Sequence, residues 1–75
     1  MAKMTVLVNG SVEHKTSGVN AAFCWAGDRA NALLHAESAP IGTTVIVTRD
    51  GAVKLTYTLV EVTVFGAVKR DWKLT

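Results

Sequence analysis

An α+β fold is predicted: a single antiparallel sheet of about four to five strands with one α-helix packed on one face, in the order β-β-α-β-β-β. Three features of the chain predict it. Tight-turn residues punctuate it at Asn9-Gly10, Asp50-Gly51 and Gly66. An alanine-rich stretch runs from Val19 to Ala36, and β-branched runs flank the turns. Asn and Asp before Gly tolerate the positive φ that type I′ hairpins need, so alternating apolar residues on both sides read as paired strands. Strands gathered on both sides of one helical stretch point to a sheet covered on one face.

The first hairpin joins Met4–Val8 to a more polar outer strand, Ser11–Lys15, in which Val12 alone is apolar. A two-residue loop sets Leu7 opposite Val12 and Thr5 opposite His14. Thr16-Ser17-Gly18 then offers a hydroxyl N-cap, and alanine, the strongest helix former, dominates the stretch from Val19 to Ala36. At 100° per residue, Val19, Ala22, Phe23, Ala26, Ala30, Leu33 and Leu34 fall on one stripe, with Phe23, Leu33 and Leu34 expected to supply most of the buried area. Glu37 rotates onto that stripe and Ala39 precedes Pro40, so the helix is expected to end near Ala36–Ser38.

Thr43–Thr48 is β-branched at every position. Pairing across Asp50-Gly51 sets Thr48 against Val53, Ile46 against Leu55 and Thr44 against Tyr57. The apolar residues are odd-numbered as far as Leu59 and then become Val60, Val62 and Val64, a parity flip that predicts a bulge or bend at Leu59-Val60. A three-residue loop centred on Gly66 then pairs Val64 with Val68, Val62 with Arg70 and Val60 with Trp72. The last strand, Ala67–Leu74, carries Lys69, Arg70, Asp71 and Lys73, as edge strands do to discourage association.

Seventy-five residues make one domain, spanning 1–75, of a size that often completes its stability by pairing into a homodimer. With 49% hydrophobic and 19% charged residues the chain is globular rather than disordered. One cysteine, Cys24, makes no disulfide framework, and no apolar run approaches the ~20 residues of a membrane span. No signal peptide is expected at the N-terminus, so the cytoplasm is the expected compartment. A net charge of +2 singles out no class of partner.

Chemistry is sparse. Cys24, Asp28 and His35 share the outer helix face, but at 1.5 Å per residue Cys24 and His35 stand roughly 16 Å apart, too far for a nucleophile–base pair. Cys24 and Asp28 keep the i, i+4 spacing of helical metal ligands but His35 does not, and no phosphate loop, nucleophile elbow, paired-carboxylate site or Cys/His cluster occurs, so no catalytic, cofactor-binding or metal residue is assigned and an enzyme is not expected. The candidates are instead for partner binding. Trp25 and Arg29 lie four apart at the border of the apolar stripe, where the guanidinium can rest on the indole. Lys69, Arg70, Trp72 and Lys73 interleave cations with an aromatic, although alternation sends the lysines to the face opposite Arg70 and Trp72. Trp25 closing the core edge and a merely charged edge strand are the plainer alternatives.

The strand ending in Asn9-Gly10, the helix with Ala26, Ala30 and Leu33, and Thr44–Thr48 followed by Arg49-Asp50-Gly51 together resemble the compact accessory proteins of bacteriophages, anti-CRISPR and other host-inhibiting proteins among them. The resemblance implies a non-enzymatic inhibitor that occupies a site on a larger host protein complex. Two alternatives remain open: a nucleic-acid-binding domain using the basic last strand, and a self-assembling structural or virion component.

Overall fold

The computed structural model describes residues 2–36 and 39–75. Among the described residues, five strands and one helix succeed one another in the expected order: β1 Met4–Val8, β2 Ser11–Thr16, α1 Val19–His35, β3 Thr44–Arg49, β4 Ala52–Val64 and β5 Ala67–Leu74. The strands form one antiparallel sheet in the order β2-β1-β3-β4-β5. The crossover through α1 carries the chain from the β2 edge to β3, and the helix packs on one face across β1, β2, β3 and β5.

The core is the layer between helix and sheet. Met4, Val6 and Val8 from β1, Val45 and Val47 from β3 and Leu59 from β4 are buried beneath Ala22, Ala26 and Ala30. Three alanines at four-residue spacing bring the helix axis close to the valines, so the fully buried helical side chains are the alanines. Phe23 and Leu33, expected to dominate the burial, are only partly buried against this layer. The N-cap of the helix is Gly18, whose N–H donates to Thr16 Oγ1 at 3.2 Å in a local turn before Val19. The anticipated hydroxyl N-cap is therefore absent. The helix ends at His35 with Ala36 as C-cap, its N–H donating to the Leu33 carbonyl, at the near side of the expected end at Ala36–Ser38, of which 37 and 38 lie outside the described residues.

Register departs from expectation in three places, each with a local cause. In β2 an extra residue, Glu13, sets His14 opposite Val6 rather than Thr5, while Leu7 meets Val12 as predicted. In β4 an extra residue, Lys54, comes after the correctly predicted Thr48–Val53 pair and shifts Leu55 to Val47 and Tyr57 to Val45. That bulge turns Leu55 and Tyr57 to the helix side, alongside buried Val45 and Val47. No irregularity occurs at Leu59-Val60: β4 runs unbroken for 13 residues. The third departure is the last turn, which is a two-residue loop. Phe65 and Gly66 occupy it with φ of 51° and 79°, pairing Val64 with Ala67, Val62 with Lys69, Glu61 with Arg70 and Leu59 with Trp72.

β3 covers β4 only as far as Thr58, and Leu59 bonds to the 42–43 segment beyond it. Past that point β4 and β5 continue alone as a two-stranded arm, residues 60–71. Thirteen residues at ~3.3 Å make β4 about 40 Å long, which accounts for most of the molecule's 47 Å long axis against cross-sections of 21 and 19 Å. The Cα radius of gyration, 13.1 Å, accordingly exceeds the roughly 11 Å of a compact chain this size. No helix is long and apolar enough to cross a membrane among the described residues.

Candidate functional site

The six residues singled out in the sequence do not converge on one surface. Trp25 and Arg29 face β2, at one edge of the sheet, and Lys69–Lys73 belong to β5, at the other. Trp25 does not carry the Arg29 guanidinium. Its ring stacks on His14 with centroids 4.8 Å apart and planes 4° from parallel, and it packs partly buried at the core margin. Arg29 reaches Glu13 instead, Nε donating to Oε1 at 2.8 Å and a terminal nitrogen to Oε2 at 3.4 Å. The β2 bulge is the cause: two consecutive residues of β2, Glu13 and His14, both address the helix.

Arg70 and Trp72, expected as exposed anchors, are bound to the helix. Because Phe65-Gly66 is a two-residue turn, Trp72 pairs with Leu59 and shares its helix-side face. Its Nε1 donates to the Ala30 carbonyl at 3.0 Å, and its ring meets Tyr57 edge-on at 6.1 Å. Arg70 lies beneath the C-terminus of α1 and donates to the carbonyls of Ala36 at 3.0 Å, Leu33 at 3.3 Å and Ala39 at 2.7 Å. Leu33 lies in the last turn of α1 and Ala36 is its C-cap, where the macrodipole favours a cation, and Ala39 lies just beyond. Its Nε is buried without a partner among the described residues.

Lys69 and Lys73 are exposed on the face turned away from the helix, with Asp71 between them. Asp71 Oδ1 accepts the N–H of Trp72 at 2.8 Å. That carboxylate therefore occupies an outward-facing donor of the edge strand and dilutes the positive charge between the lysines.

Missing from the sequence candidates is the arm's tip. Phe65 is fully exposed at 104% of its reference area, and Val64 and Val68 beside it are exposed as well. The detectable signal lay in the turn chemistry. All three hairpins use the same backbone, with first-position φ of 52° at Asn9, 51° at Asp50 and 51° at Phe65, each succeeded by a glycine of positive φ. Asn and Asp tolerate that conformation; a bulky aromatic adopts it at a cost of about 1–2 kcal/mol.

The described residues form no pocket and no cluster of three potential metal ligands. Cys24 is exposed on the outer face of the helix. No protein-family model matches the chain, and neither does a curated protein or a solved structure.

Proposed function

We propose that the chain is a non-enzymatic protein-binding module whose binding element is the β4–β5 arm, with Phe65 at its tip. The observation that carries this is Phe65 itself. A residue with positive φ and no buried area contributes nothing to folding that Asn or Asp would not supply better, as the other two turns illustrate. Local strain held at an exposed aromatic is a mark of function outside the fold. Val64 and Val68 extend the apolar surface at the tip.

Steric occlusion of a larger host complex, as by a phage-encoded inhibitor of the anti-CRISPR type, is the mode of action that we attach to this module. An arm projecting from a body only about 20 Å across suits insertion into another protein's cleft. Nucleic-acid binding draws its support from exposed Lys69 and Lys73, but Trp72 and Arg70 are engaged with the helix and Asp71 sits between the lysines.

Affinity capture from a bacterial lysate tests the proposal, using the wild type, Phe65→Asn and a Cys24→Ser control. One dominant protein retained by the wild type and the control but lost with Phe65→Asn is the expected result. Equal retention by Phe65→Asn, or no captured protein, overturns it.

A further inference from the structure

Beyond Leu59 the arm carries a strand edge that nothing covers among the described residues. The Leu59 N–H donates to the Thr43 carbonyl and its carbonyl accepts from Gly42 N–H, both at 2.8 Å, so Leu59 turns its backbone groups away from β5. Alternate residues of an antiparallel strand turn the same way. Glu61 and Thr63 therefore present two donors and two acceptors where β3 has ended. On the outer edge of β5, Asp71 occupies the Trp72 N–H at the base of the arm, and Val68 and Arg70 turn the remaining backbone groups outward. The two edges differ in their side chains: lysines and an aspartate alternate along β5, valines along β4.

The side chains along the β4 edge are also unusual. On the face away from the helix stand Val60, Val62 and Val64, opposite Asp71, Lys69 and Ala67 of β5. Glu61 and Thr63 occupy the helix-side face, which α1 no longer covers. An arm adapted only to solvent needs no row of three valines.

We propose that this β4 edge pairs antiparallel with the same edge of a second copy, about a two-fold axis through Val62. Only this register uses all the free backbone groups of the β4 edge. Glu61 exchanges two hydrogen bonds with Thr63 of the second copy, and Thr63 exchanges two with its Glu61, four bonds in all. An axis through Glu61 opposes two glutamates and calls on the already bonded Leu59. An axis through Thr63 sets Glu61 against the turn. With the axis at Val62, Val60 meets Val64 of the second copy and Val62 meets Val62. Six valines then lie side by side in a four-stranded β5-β4-β4-β5 sheet, with each Lys69 and Asp71 at its outer strands and no like charges opposed. Each Phe65, in its turn, comes up against the 41–43 segment of the other copy, which holds the place opposite Leu59 and includes exposed Ile41. The inference rests on the arm as binding element and makes a second copy its first occupant.

Sedimentation over a range of concentrations, joined to cysteine cross-linking, tests it. The wild type is expected at twice the 8.0 kDa chain mass. Thr63→Pro removes one outward donor while leaving the β4–β5 bonds, carried by even-numbered residues of β4, untouched; it is expected to weaken the dimer by at least about tenfold. In a Cys24→Ser background, Val62→Cys cross-links to itself under mild oxidation. Val60→Cys does not, but cross-links when mixed with Val64→Cys. A wild type monomeric to about 1 mM, a dimer indifferent to Thr63→Pro, or Val60→Cys self-linking as readily as Val62→Cys overturns the pairing. A monomer that captures a partner through Phe65 overturns the dimer alone, whereas a dimer that captures nothing overturns the proposed function alone.

Discussion

The indole of Trp72 donates its Nε1–H to the carbonyl of Ala30 at 3.0 Å, tying the edge strand β5 to the middle of a helix 42 residues earlier. The ring also meets Tyr57 edge-on and packs against the core. Trp72→Phe keeps most of the ring and loses the hydrogen bond, an expected loss of about 1 kcal/mol. Trp72→Ala is expected to cost about 3 kcal/mol, the low end for a large aromatic because this one is half-buried. Urea unfolding monitored by circular dichroism separates the two. Equal losses from both variants would mean that the hydrogen bond, not the ring, holds β5.

Arg70 closes the other end of the same contact. Its three hydrogen bonds to Leu33, Ala36 and Ala39 join the base of the arm to the C-terminus of α1. A planar fork meets several carbonyls at once; an ammonium meets fewer. Arg70→Ala is expected to destabilise by about 2–4 kcal/mol, with Arg70→Lys recovering less than half. Amide exchange should accelerate first in the last turn of α1, and uniform acceleration across the helix would contradict a local cap.

Glu13 and Arg29 bring a smaller effect despite their short contact. Their side chains are 33% and 37% exposed, so solvent screens the pair. A double-mutant cycle with Glu13→Gln and Arg29→Gln is expected to give a coupling of about 0.2–1 kcal/mol that shrinks in 1 M salt. Coupling that persists undiminished at high salt would assign the contact to packing instead.

The element order was legible because turn chemistry and alanine content act locally. Asn9-Gly10, Asp50-Gly51 and the run from Val19 each specify their own backbone without help from the rest of the chain. Register was less legible where burial overrides local pairing. The bulges at Glu13 and Lys54 rotate neighbouring side chains toward the helix, and a two-residue turn alone does not encode them. Phe65 hid the last turn, because an aromatic is a poor occupant of positive φ and Gly66 alone suggested a longer loop. That one-residue difference moved Trp72 from the open face to Leu59 and the helix. The parity flip after Leu59 is real in the sequence, but its cause is not a bulge: the helix ceases to cover β4, and the apolar side chains change face.

Binding chemistry on the arm's open face can be separated by salt. Lys69 and Lys73 are exposed there, with Asp71 between them and valines along β4. A phosphate-binding face loses affinity steeply, with a log–log slope of about −0.9 per phosphate neutralised on duplex DNA. An apolar protein contact changes little. Capture of a protein partner is therefore expected to survive from about 50 to 500 mM salt, whereas retention of DNA or RNA that collapses over the same range would favour the nucleic-acid alternative.

Exchanging the turn residues weighs folding against binding at one position. Phe65 and Asn9 share first-position φ values of 51° and 52°, and Phe65 makes no buried contact that a substitution could remove. Phe65→Asn is therefore expected to stabilise the protein by about 1 kcal/mol, raising Tm by roughly 4–8 °C for a domain of this size. Asn9→Phe is expected to destabilise by a similar amount or more, because it also removes the acceptor, Asn9 Oδ1, to which the Thr44 N–H donates. Thermal unfolding of the two variants gives opposite signs if the turns are equivalent. A loss of stability in Phe65→Asn would mean that the phenyl ring stabilises the hairpin, and the case for an aromatic kept for binding would fall with it.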